Sequence, residues 1–523
     1  MKGFTTARIL GAFAVLVTLA ALNVRADYPF YQPEDAENGP EEVHLGPQPF
    51  PAMEETSTIV AAQPATFSGN PYLVGPLRTP TTTRPEAETN IAINPNDPSN
   101  LVALITDYSL RPGGLSTNGA GKFAISSDFG TTWTENFVPV SNSYPVTSDG
   151  VQWLVNRDPG IAIDKLGNVF LSGLYLKLAP GQDTSGGNSF TRDHPPGGVY
   201  VCAGRLPSVA MTSASCRPVF TYTQPTGNPN DVDRDWIAVD NSASPHSGNV
   251  YAVWTHYTGC AGSTCATKFI AFSRSNDHGA TWSPLIQINP SDQAVVDWSM
   301  VTVGSDGTIY VAYQNYVSLR NRRQHWMAKS TDGGKTFTPA VAITPIFKDV
   351  LFQCPTRKNS APNLVVSPVA GAEYVYDVFG NSGERGTNIG VTRSLEPKGA
   401  GGFSAITTIN DSTVGRRAFP AATVDNNGTL HVVWMDTRDA LTSFQYGVYA
   451  TYSKDQGKTY APNARVSPTP TNLGTDAGES CSTMLLGDYF GITVEPDTGV
   501  AHAVWTNAGS NGGQLETTTL TPQ

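Results

Sequence analysis

Carboxylates, arginines and tyrosines recur in this sequence at corresponding ends of paired apolar runs. Glu88 precedes one run, and Asp107 and Tyr108 follow its partner. Asp158 and Tyr175 flank the next pair, and Asp233 and Asp235 stand with His256 and Tyr257. Further on come Asp297 with Gln314 and Asn315, Asn363 with Asp377, and Arg416 and Arg417 with Asp436 and Arg438. Asp488 and Tyr489 with Asn507 complete the set. Gathered in one place, these residue types do carbohydrate chemistry: carboxylates act as acid, base or hydroxyl acceptors, and arginines clamp an acidic group. The same residues also serve as hydrogen bonds and salt links that close a fold. A third reading is a structural calcium ion held by several of the carboxylates, although no compact D-x-D-x-D-G loop is present.

Other chemistries lack their residues. The sequence has no HExxH, GxSxG, Walker A or Rossmann glycine pattern, and its eight histidines are scattered. No cofactor is expected. The formal charge is −11, with 44 acidic against 33 basic side chains, so no basic patch is available for nucleic acid. Charged residues make up only 15%, while Gly and Pro together number 89, a composition of short strands and turns.

The elements that must position these residues are repeats. An apolar strand, a turn and a second apolar strand recur seven times. Ile91-Ala92-Ile93 goes with Leu101 to Ile105, Ile161-Ala162-Ile163 with Val169 to Leu174, and Ile237-Ala238-Val239 with Val250 to Trp254. Val301-Thr302-Val303, Leu364-Val365-Val366, Ala422-Thr423-Val424 and Ile492-Thr493-Val494 open the other four, and successive starts lie 58 to 76 residues apart. Each interval is long enough for a four-stranded blade, which predicts an all-β propeller of seven blades, six being the alternative if two copies share one blade. The starts of the first strands and the ends of the second strands then ring the mouth of the channel, where the polar set lies.

A second repeat, S-x-D-x-G-x-[ST]-aromatic, begins at Ser126, Ser275, Ser330 and Ser453. Its chemistry is that of a hairpin turn: Asp accepts backbone N–H groups, Gly permits positive φ, and the ring anchors the returning strand. These turns resemble the Asp boxes of the sialidase-like (BNR-repeat) β-propellers, where they lie on the outer part of the blade, away from the chemistry.

The resemblance implies one propeller over residues 77–523 and an exo-α-sialidase-like glycoside hydrolase that removes a terminal, acidic sugar. It also implies site residues. Leu77-Arg78-Thr79-Pro80 is similar to the family's R-I-P motif, with Thr in place of Ile. Tyr489 takes the place of the nucleophile and Asp107 that of the acid/base, while Arg78, Arg417 and Arg438 hold the substrate carboxylate and Asp158, Asp235 and Asp436 line the site. The family's catalytic Glu has no mid-chain counterpart beyond Glu384 or Glu479. The alternative is a non-catalytic propeller that binds glycan or protein through the same face, and a lyase or other carbohydrate enzyme is a further reading.

Lys2 and Arg8 precede the apolar run Ile9–Leu22, and Val24-Arg25-Ala26 offers a cleavage site, which predicts a signal peptide over residues 1–26 and a secreted, extracellular or periplasmic protein. No later run approaches a membrane span. Six cysteines then meet an oxidising compartment. Sequence proximity pairs Cys202 with Cys216 and Cys260 with Cys265, leaving Cys354 for Cys481. Residues 27–76 carry eight acidic residues, no Lys or Arg and repeated prolines, and read as an arm or linker or as a removable pro-segment. A monomer with a glycan or glycoconjugate partner is the expectation.

Overall fold

The second strand of each predicted hairpin is apolar for most of its length, as in Leu101–Asp107, where five apolar residues precede Thr106 and Asp107 and all seven are buried. A strand packed on both faces reads this way, and in a propeller every blade is sandwiched between two others. The computed structural model describes residues 63–64, 66–67, 69, 72–81, 86–107, 120–138, 152–178, 197–222, 231–261, 264–317, 321–350, 360–383, 386–439, 445–468, 471–472, 487–507 and 513–523. The signal-peptide segment, Arg111, Glu384, Glu479, Cys354 and Cys481 lie outside them.

Seven antiparallel blades of four strands are present, each beginning at one of the apolar triplets. Their innermost strands are Glu86–Ile93, Gln152–Ile163, Asp231–Val239, Val296–Val303, Asn363–Val366, Arg417–Val424 and Gly491–Val494. Seven is the blade count, not six. Blade 7 takes three strands from the C-terminal end, Gly491–Val494, Ala501–Asn507 and Gln514–Pro522, and its fourth from Tyr72–Val74, paired Tyr72 to Pro522 and Val74 to Leu520. The ring is thus closed by hydrogen bonds between the two ends of the chain, and the closing strand falls inside the stretch whose composition reads as an arm. Just upstream, Gln63–Pro64 pairs in parallel with the outer strand of blade 5, and Thr66–Phe67 with Thr459–Tyr460 of blade 6.

The core is distributed as one apolar layer per blade junction. Val102, Leu104 and Phe123 of blade 1 meet Ile161, Val169 and Tyr200 of blade 2. Met435 and Val448 of blade 6 meet Phe490 and Trp505 of blade 7, and Ile91 and Ile105 meet Val504 and Leu515 where the ring closes.

The eight-residue turns join third to outer strands on blades 1, 3, 4 and 6. In each, the Asp accepts a backbone N–H and a hydroxyl from the Thr four residues on: 2.8 and 2.6 Å for Asp128, 2.9 and 2.5 Å for Asp277. The same pair measures 3.0 and 2.6 Å at Asp332 and 2.8 and 2.6 Å at Asp455. These turns are peripheral scaffold, as expected. Cys202 and Cys216 form a disulfide between neighbouring strands of blade 2. Cys265 is also disulfide-bonded and stands opposite Cys260 in the ladder. Among the described residues no helix is long and apolar enough to cross a membrane.

Candidate functional site

Five of the innermost strands share an irregularity. Two residues stand opposite one in the ladder between Ala87 and Asn90, Arg157 and Gly160, Asp233 and Trp236, Asp297 and Met300, and Ala418 and Ala421. The first residue of each bulge has positive φ: Glu88 (63°), Asp158 (52°), Arg234 (56°), Trp298 (56°) and Phe419 (52°). Left-handed backbone costs a non-glycine residue about 1–2 kcal/mol, so a repeated outlier marks a place where side chains are deliberately re-aimed. All five stand three residues before the apolar triplet of their blade, and Tyr489 holds the same place in blade 7. That spacing is the sequence signal that would have found them.

Around the axis these positions form two unlike halves. A funnel of about 520 Å³, counting space open to solvent, is lined by Arg234, Asp235, Trp236, Trp298, Phe419 and Tyr489, with Met300, Asn363 and Asp488 among the remainder. Blades 3 to 6 supply the aromatic and apolar wall. Blades 1, 2, 3 and 7 supply carboxylates: Glu88, Asp158 and Asp488 bring carboxylate oxygens within 4.8 Å of one another, all three buried. Thr106 donates to Glu88 (3.1 Å), and the Arg234 backbone N–H donates to Asp158 (3.0 Å). Gly487 makes this approach feasible, because a Cβ there would stand 2.3 Å from the backbone nitrogen of Glu88.

The electrostatics follow from crowding. Burial, then Asp233 and Glu88, push the Asp158 carboxyl well above its usual range. Asp235 is 2% exposed and is raised chiefly by burial. Neither of its oxygens makes a hydrogen bond of full geometry, and the Ser172 hydroxyl nearby offsets only part of the rise. The buried Tyr489 hydroxyl is also unpartnered, and its ring sits edge-on to Trp236 at 5.9 Å. Burial, then Asp158, Glu88, Asp235 and Asp488, raise the phenol well above its ordinary value. A carboxylate neighbour for Tyr489 therefore exists, but it comes from upstream, in Glu88 and Asp158.

The other expected residues are held elsewhere. Asp107 is fully buried and paired with Lys122 at 2.8 Å. Arg78 bridges by its backbone to Thr517, on the third strand of blade 7, and its guanidinium donates to Leu77 O at 3.2 Å. Arg417, Asp436 and Arg438 do come together, but around one another. Arg417 donates to Asp436 (3.0 Å), Thr387 O (2.9 Å), Gly415 O (3.2 Å) and Val414 O. Arg438 donates twice to Asp436 (2.9 and 2.7 Å), to Asp411 (2.5 Å) and to Asn463 (3.0 Å), and lies 4.2 Å over the Tyr449 ring. With most of their N–H groups engaged, these arginines form an internal bolt. The arginine that lines the funnel is Arg234, 3.4 Å over Trp298 and 3.5 Å from Asp297.

The observed registers correct several of the facing pairs expected from sequence. Asp107 stands opposite Glu86 rather than Glu88, and Leu174 opposite Arg157, so Asp158 does not face Tyr175. Asp233 faces Thr255, not His256, and Leu364 rather than Asn363 faces Asp377. Asp297 with Gln314 and Arg417 with Asp436 face as expected.

No protein-family model matches the chain, and no curated protein does. Solved structures similar to it include the leech intramolecular trans-sialidase (14% identity, 85% of this chain and 68% of that one, TM-score 0.41). The Hadza microbial sialidase Hz136 is 13% identical over 88% of this chain and 98% of that one, TM-score 0.43. The GH93 α-L-arabinofuranosidase of Fusarium graminearum is 13% identical over 86% and 97%, TM-score 0.42. The chain is similar to sialidases and an arabinofuranosidase in fold alone.

Proposed function

We propose that the protein is an exported glycoside hydrolase that works at the mouth of the channel, with Asp235 as acid/base and Tyr489 as nucleophile. The observation that carries this is the funnel itself: carboxylates face an aromatic wall across about 520 Å³, with two reactive groups, Asp235 and the Tyr489 hydroxyl, buried and unpartnered inside it. Sugars need both halves, an aromatic or apolar face to stack on and carboxylates to take hydroxyl protons and work the glycosidic bond. Trp298 and Phe419 would carry the ring, and Asn363 and Ser299 offer further hydrogen bonds.

The substrate is a neutral sugar. Arg417 and Arg438 are committed to Asp436, and Arg78 sits on the outer part of blade 7, so these three arginines do not assemble the clamp of a sialidase. Among the described residues, a substrate carboxylate would meet Asp235 and Asp488 with Arg234 as the one lining arginine to offset them. Export follows from the leader and agrees with the disulfides.

The test is turnover of a panel of fluorogenic glycosides, neutral pentosides and hexosides beside an α-sialoside, by wild type, Asp235→Asn and Tyr489→Phe. Turnover of a neutral glycoside that falls roughly 10²-fold or more in each variant is expected. Turnover confined to the sialoside would overturn the neutral-sugar reading. No turnover together with saturable glycan binding at the funnel would replace the enzyme with the binding propeller.

A further inference from the structure

We propose that the floor of the channel holds a divalent cation of the calcium class, ligated by Glu88, Asp158 and Asp488 from blades 1, 2 and 7. The three carboxylates come from strands far apart in sequence, yet their oxygens lie within 4.8 Å of one another inside the protein. Ionised carboxylates at that spacing repel one another strongly in a buried site. Like charges are normally separated, protonated or bridged; a hard cation with oxygen ligands is the bridge that suits three carboxylates.

Independent observations point the same way. Asp235, 2% exposed, presents two carboxylate oxygens with no hydrogen-bond partner, and its charge acts on both Glu88 and Asp158. The Tyr489 hydroxyl, adjoining Asp488 in sequence, is a second buried oxygen without a partner. Buried polar atoms are rarely left so, and both groups interact electrostatically with Asp158 and Glu88 of the trio. The backbone has been forced to build the arrangement: Glu88 and Asp158 both adopt positive φ, and only a glycine at 487 lets Asp488 approach. A cation here would also tie blades 1, 2 and 7 together at the ring's closing junction. The inference goes beyond the glycosidase reading and stands or falls without it, because its test measures no turnover.

The full-length mature chain is treated with chelator and titrated with Ca²⁺ by calorimetry, then with Tb³⁺ under excitation of the aromatic residues. Tyr489 and Trp236 lie close enough to sensitise terbium emission. One saturable site is expected, with Ca²⁺ displacing Tb³⁺ and raising Tm. Glu88→Gln and Asp488→Asn, each shape-conserving, should weaken Tb³⁺ at least roughly tenfold while the circular dichroism of the blades is retained. Asp97→Asn, on a surface turn of blade 1, should bind as wild type does. Absence of saturable binding by folded wild type, or unchanged affinity in the folded ligand variants, would overturn the proposal. Should Glu88→Gln not fold, Asp488→Asn decides.

Discussion

Replacing Asp436 by Asn separates a structural role for Arg417 and Arg438 from a substrate-binding one. The Asp436 side chain is fully buried, Arg417 is 1% exposed, and Arg438 is 12% exposed. The carboxylate accepts one N–H from Arg417 at 3.0 Å, two from Arg438 at 2.9 and 2.7 Å, and the Trp434 indole at 3.1 Å. Asn keeps the shape but removes the charge: with its oxygen left to the two guanidinium groups, its NH2 is turned toward the Arg438 backbone N–H that Oδ1 accepts at 2.9 Å. Stranding a buried charge in this way costs about 3–5 kcal/mol. Unfolding entropy near 2.1 cal/mol/K per residue gives about 1.1 kcal/mol/K if all 523 residues unfold. The variant should therefore melt about 3–5 °C lower, measured by circular dichroism and checked by urea unfolding. A substrate clamp would behave differently, because its arginines are held for a ligand and not for the fold: Tm would stay put and only ligand affinity would move. A fall in Tm below about 1 °C, with weakened glycan affinity, would refute the internal bolt and restore these arginines to the site.

Two further outcomes concern the periphery. At Asp332 burial alone would raise the carboxyl, but the Thr336 hydroxyl and backbone N–H overrule it and hold it well below its ordinary value; at Asp128 the Thr132 hydroxyl and N–H do the same. A depressed carboxyl stabilises the fold fully above the ordinary carboxylate range and progressively less as pH falls through and below about 4. The Tm gap between wild type and Asp332→Asn should therefore narrow from pH 7 to pH 3, and a gap independent of pH would count against the turn as a charge-assisted element. Of the two N-x-[ST] sequons, Asn410 is 7% exposed and uses its amide to accept from Ile389 N–H (2.9 Å) and donate to Ser412 O (2.9 Å), whereas Asn427 is exposed on a turn. Secretion from a glycosylating host should place glycan on Asn427 and leave Asn410 bare, as peptide mapping would show; glycan on Asn410 of folded protein would contradict the burial.

The fold was legible because its signals are local. Seven apolar triplets and four Asp-centred turns recur along the chain, and each encodes a hairpin that forms from neighbouring residues. Cys202 and Cys216, fourteen residues apart, could be paired on the same basis. Tyr489 was named by resemblance, and in the structure it lines the funnel. What stayed hidden was decided by closure and by bulges. Closure sets Tyr72 against Pro522 and Glu88 beside Asp488, so the carboxylate neighbour of Tyr489 comes from the far end of the chain. No residue type is common to all the bulges, which run Glu-Thr, Asp-Pro, Arg-Asp, Trp-Ser and Phe-Pro, yet each takes positive φ at its first residue and shifts the facing partners by one. The arginines show the same limit: sequence supplied three cations and a site to hold them, but a buried Asp436 accepts from two of them, and only packing could reveal that their N–H groups were already spent.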